Sequence, residues 1–179
     1  MSIDLDCCHP DLRIGQRRLA RHLRSILAEL GHPRGYVDVR LTTDADIREL
    51  NRQYRKVDAV TDVLSFPLAD AHDPDVPVEL LGDIVISLDT AQRQARAVRE
   101  AVRSGADPAD VKRYRLTEEV LFLATHGLLH LLGHDHAKRR QAEDMEALER
   151  RFMATVTPLD VHLCDRTAHG VARKAKSRE

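Results

Sequence analysis

Thr117-Glu-Glu-Val-Leu-Phe-Leu-Ala-Thr-His126-Gly-Leu-Leu-His130-Leu-Leu-Gly133-His134-Asp135-His136 is the stretch on which the reading of this fold turns. From Val120 to Leu132 it is apolar nearly all round, broken by Thr125, His126 and His130. A helix with no polar face belongs inside the molecule, with other elements packed around it. Thr117 is placed to cap it, and Glu118 and Glu119 stand in the first turn, where the helix dipole favours acids. Gly133 can take the left-handed conformation that ends a helix and turns the chain back.

The flanking sequence supplies the rest of the fold. Ile3 to Cys7 alternates as a short strand. Leu12, Leu19, Leu23, Ile26 and Leu30 mark one face of a helix, with Arg13, Arg17, Arg21 and Arg24 opposite, and Gly31 and Pro33 end it. Tyr36 to Leu41 alternates as a second strand, after which Thr43 or Asp44 caps a short helix carrying Ile47, Leu50 and Tyr54. Asp62–Phe66 and Asp83–Ser87 read as two more strands, separated by a loop with Pro67, Pro74 and Pro77. Asp89 with Gln92 resembles a capping box for a helix whose stripe is Leu88, Ala91, Ala95, Val98 and Val102. Ser104–Asp110 reads as a turn-rich connection, and a last amphipathic helix runs from about Lys138 to Met153. The expected class is therefore α+β (mixed α/β): a small mixed sheet of three to four strands, five to six helices around it, and the histidine-bearing helix central.

Composition narrows the possible functions. In 179 residues, 28 Lys+Arg against 29 Asp+Glu leave a net charge of −1, so there is no global pull toward nucleic acid. No apolar run is long enough for a membrane span, and Met1-Ser2-Ile3-Asp4 opens no secretory signal; the expected location is the cytoplasm. Three cysteines, Cys7, Cys8 and Cys164, do not make a disulfide framework. The outlying count is ten histidines, four of them between His126 and His136.

Residues i and i+4 of a helix lie on one face about 6 Å apart along the axis, so His126 and His130 can reach one metal ion. A reversal at Gly133 would then deliver a third imidazole and leave a fourth position open. His134 lies about 12 Å along an unbroken helix from His126, too far to share an ion without that reversal. His136 has two more residues in which to swing back. The pattern H-x-x-x-H-x-x-G-x-x-H echoes the metzincin proteases, but their general-base Glu is replaced by Gly127, which argues against proteolysis.

The same eleven residues resemble the signature of the YbeY family, the rRNA maturation endoribonucleases. Asn51-Arg-Gln-Tyr54-Arg55, Thr61-Asp62-Val-Leu-Ser-Phe66 and Leu81-Gly82-Asp83-Ile84 agree with that family in order and approximate spacing, over about residues 36–153. The departures are His134, where many members carry Tyr, a longer connection at Ser104–Arg115, and the basic tail. The resemblance implies a single metallo-endoribonuclease domain over residues 1–156, followed by a polar, basic C-terminal tail over 157–179. It implies a single-strand-specific enzyme of 16S rRNA 3′-end processing and ribosome quality control, with one Zn²⁺ per chain. It picks His126, His130 and His136 as metal ligands and Arg55 as the catalytic residue. The implied partners are precursor rRNA, the small ribosomal subunit with its proteins, and a ribosome-assembly GTPase. The rival readings are a metallohydrolase acting on another substrate, protease-like, and an assembly adaptor whose zinc is structural.

Overall fold

The computed structural model describes residues 2–68, 79–101, 108–135 and 138–159. The tail beyond Leu159 and most of the Pro/Asp-rich loop fall outside them. In chain order the elements are β1 (Ser2–Cys7), α1 (Gln16–Glu29), β2 (Gly35–Thr42), α2 (Asp44–Arg55), β3 (Val63–Pro67), β4 (Glu79–Ser87), α3 (Leu88–Ala101), α4 (Pro108–Arg113), α5 (Leu116–Leu131) and α6 (Arg139–Met153). The four strands form one mixed sheet in the order β1-β2-β4-β3. β1, β2 and β4 run parallel, and β3 pairs antiparallel to β4.

Strand alternation divides the sheet into two unlike faces. Val37, Val39 and Leu41 of β2 and Ile84 and Ile86 of β4 point into the main core with α1, α3 and α5. The opposite face carries Asp4, Asp6, Asp38, Arg40 and Asp83, and among the described residues its β3–β4 side is covered, where Ile47 and Leu50 of α2 meet Leu64, Phe66 and Val85. α5 is the central helix that its sequence requires. Twelve of its sixteen residues are buried, and it touches α1, α3, α6, β3 and β4. α6 closes over it with Met145, Phe152 and Met153.

Several boundaries differ from the sequence expectation, each for a visible reason. α1 begins at Gln16 rather than near Leu12, because the buried His9 ring accepts the N–H groups of Asp11 and Leu12 and holds that segment in a turn. Asp89 is no capping residue: α3 follows β4 directly, and the Asp89 carboxylate takes the His9 Nε2–H and the Asp44 N–H instead. Part of the turn-rich connection is the short helix α4. The N-cap of α5 is Arg115, whose N–H donates to Glu118, and Thr117 lies inside the first turn. Thr43 rather than Asp44 caps α2, accepting from the Asp46 N–H. Thr157 and Leu159 are buried against the core beyond α6.

No helix of the described residues is long and apolar enough to cross a membrane.

Candidate metal centre

His126 and His130 stand on the last two turns of α5, half-buried, at the end of the helix that reaches the surface. Their Nε2 atoms are 3.2 Å apart and the rings meet nearly at right angles, 81° between planes. Two nitrogens bound at 2.0–2.1 Å in a tetrahedral shell are separated by about 3.3 Å, so the pair already has the spacing of one edge of a zinc site. Both side chains are of a type that zinc accepts, and the carbonyl end of the helix dipole also favours a cation. The residues present therefore fit the ion.

The His126 ring is fixed from behind. Its Nδ1 lies 2.7 Å from Oε1 of Glu149, on α6. A carboxylate only accepts, so Nδ1 carries the proton of this bond, and the ring turns its Nε2 toward His130. Phe122, one turn earlier, lies alongside the ring at 6.4 Å between centroids. Glu149 was not legible in sequence. On α6 it is one acid among several, and its only mark is a place on the inward face with Met145, Phe152 and Met153.

Gly133 ends α5 as expected. With φ +85° it is left-handed, the Gly133 N–H donates to the His130 carbonyl, and the His134 N–H donates to the Leu129 carbonyl. These are the two bonds of a Schellman reversal, and they turn the chain back just after His130. His136 lies outside the described residues, so no third ligand is seen to join the pair.

Gly127 shows why the protease pattern is broken. α5 lies so close on the sheet that a Cβ there would stand 3.0 Å from both Ile84 Cγ2 and Ser65 Oγ. Ser65 Oγ donates to the Gly127 carbonyl across the same contact. A Glu side chain at this position would point into the sheet, away from any hydrolytic site.

Arg55 is the last residue of α2, exposed, and among the described residues it makes no hydrogen bond or ion pair. The turn after it is held by Asn51, whose carbonyl accepts from Val57 N–H and whose Nδ2 donates to the Ala59 carbonyl. Lys56 sits in the left-handed region at φ 60° as the cap of that helix. The other motif residues have structural roles. Asp62 is buried and accepts from Val63 N–H and Gln94 Nε2, tying β3 to α3. Gly82, at φ +134°, lets β3 approach so closely that a Cβ would stand 2.2 Å from the Phe66 carbonyl oxygen. Asp83 faces away from the histidines, on the open face of the sheet, where burial first and the Asp38 charge second raise its carboxyl above the usual range. That face forms a groove of about 810 Å³ with Asp4, Asp6, Asp38 and Arg40 among its walls. Four acids against one arginine make that surface unfavourable for phosphate. Cys7-Cys8-His9 holds no metal by geometry, since both His9 ring nitrogens are already hydrogen-bonded.

Comparison with known proteins agrees with the motifs. The family model described as Endoribonuclease YbeY matches residues 10–157. A Thermus thermophilus protein of that name is 47% identical over 137 residues, covering 76% of this chain and 88% of its own. An Anaeromyxobacter dehalogenans protein of the same name is 38% identical over 178 residues, 99% of this chain and 83% of its own. One from Anaeromyxobacter sp. strain Fw109-5 is 43% identical over 149 residues, 83% of this chain and 69% of its own. The solution structure of TM1509 from Thermotoga maritima covers 99% of this chain with a TM-score of 0.54 at 23% identity, covering 100% of that chain, and so shares the fold. With the family model spanning β2 to β4, the histidine helix and α6 alike, the chain belongs to the YbeY endoribonuclease family.

Proposed function

We propose that this chain is a zinc-dependent endoribonuclease that cuts single-stranded precursor rRNA at the 3′ end of the 16S species and serves ribosome quality control in the cytoplasm. The observation that carries the reading is the His126–His130 pair, with Nε2 atoms 3.2 Å apart at an accessible helix end, in a chain whose relatives bear the name Endoribonuclease YbeY. His126, His130 and His136 would hold one zinc ion per chain. When bound, the ion would supply Lewis acidity toward a phosphodiester oxygen.

The chain's own residues do the rest. The Schellman reversal at Gly133 ends α5 and turns the chain at His134, two residues before His136 in sequence. Arg55 presents a planar fork of donors, suited to a phosphate whose negative charge grows in the transition state. The partners we infer are precursor rRNA, the small ribosomal subunit and its proteins, and a ribosome-assembly GTPase.

The test is cleavage of an end-labelled precursor carrying the 16S 3′ end, with variants purified in parallel. His130→Ala should abolish cleavage. Arg55→Glu should lower it by about 10²–10³-fold, the scale of losing one transition-state donor, and Arg55→Lys should restore only part because a point charge lacks the fork. With contaminating nuclease excluded by parallel mock purification, equal cleavage by wild type and His130→Ala would refute the assignment.

A further inference from the structure

α6 is a surface helix apart from one feature. Its outer side is lined with solvent pairs such as Arg139–Glu143 and Glu146–Arg150, while its inner side carries Met145, Phe152 and Met153. Among those apolar side chains stands Glu149, its side chain 6% exposed. Burying a carboxylate costs several kcal/mol unless charge and hydrogen bonds compensate it. Glu149 Oε1 meets His126 Nδ1 at 2.7 Å.

We propose that Glu149 is a positioning residue for His126. By accepting the Nδ1 proton it fixes the tautomer and the ring angle, so that the Nε2 lone pair is held toward His130, ready for a metal ion. The assignment rests on reading His126 as a zinc ligand.

Three observations converge on it. The hydrogen bond crosses between two helices, so packing of α6 on α5 sets the ring orientation. Phe122 flanks the ring at an interplanar angle of 27°, with 6.4 Å between centroids, on the same helix one turn earlier. The Nε2 on the other side of the ring faces the neighbouring imidazole at 3.2 Å. A carboxylate behind a ligating imidazole also raises its basicity, and losing such a partner typically weakens metal binding by about 10–100-fold.

The experiment uses the full chain, wild type, Glu149→Gln and Glu149→Ala. ¹⁵N NMR of the imidazoles in the metal-free protein reads the tautomer, and competition with a chromophoric chelator reads zinc affinity. The expected wild-type spectrum shows His126 protonated on Nδ1. Glu149→Ala should shift it toward a mixture with Nε2–H and weaken zinc about 10–100-fold. Glu149→Gln keeps an acceptor oxygen but no charge, so it should retain the tautomer with an intermediate affinity. Should the Ala variant fail to fold, the wild-type spectrum and the Gln variant decide the matter. Protonation of wild-type His126 on Nε2, or wild-type zinc affinity in the folded variants, would overturn the role of Glu149 alone. No zinc uptake by the wild type would overturn the zinc reading itself, and this assignment with it.

Discussion

His22 and Gly127 show how much a single side chain on or beside α5 decides. His22 is buried between α1 and α5, where its Nε2–H donates to Thr125 Oγ1. Burial first, and the Arg18 charge second, lower its pKa to about 4 from 6.5. The folded state thus holds His22 neutral while the unfolded state protonates it below pH 6.5. This contribution to stability is whole above pH 6.5 and is lost as pH falls toward 4, amounting to about 3 kcal/mol at the acid end. In urea denaturation, His22→Gln should therefore lose less stability than wild type between pH 7 and pH 4.5; parallel slopes would contradict the buried neutral ring. Gly127→Glu installs the residue of the metzincin pattern where a Cβ already meets Ile84 and Ser65 at 3.0 Å. It should cost about 3 kcal/mol or more by driving a charge into the helix–sheet contact, and it should give no peptidase activity. A stable Glu variant would mean that α5 can lift from the sheet.

At the scale of elements, α5 was legible because its composition permits no other place than the interior, and its end was legible because Gly133 follows the last apolar turn. Gly133→Ala must hold φ near +85° with a Cβ, so it should destabilise by about 1 kcal/mol by chemical denaturation, and Gly133→Asn by less. Equal stability of all three would show that the reversal does not need the left-handed residue. The starts of α1 and α5 were not legible, since tertiary and local bonds set them. His9 holds Asp11 and Leu12 out of the helix, and Glu118 reaches back to the Arg115 N–H. Neither bond leaves a periodic trace in sequence. The candidate site divides the same way. Spacing along one helix revealed His126 and His130, whereas Glu149 comes from another helix and depends on how α6 packs.

At the scale of the molecule, the two faces of the sheet do different work. One is buried under α1, α3 and α5 and carries the histidine helix; the other exposes Asp4, Asp6, Asp38 and Asp83 around Arg40. With a net charge of −1, RNA affinity must come from local cations rather than from the overall field. The basic C-terminal sequence is one such source. Deleting the residues after Asp165 should leave the melting temperature within about 2 °C, because that segment has few apolar groups to bury, while weakening RNA binding at low salt. A large drop in melting temperature would mean that the segment packs on the core.

The most direct test of the central claim is the zinc content of the purified chain and its histidine variants, measured by elemental analysis after exhaustive buffer exchange. The account predicts about one zinc per wild-type chain. Most of it should be lost in each of His126→Ala, His130→Ala and His136→Ala, and kept in His134→Tyr. Zinc retained in full by both His126→Ala and His130→Ala, or lost from His134→Tyr while His136→Ala keeps it, would contradict the site as assigned.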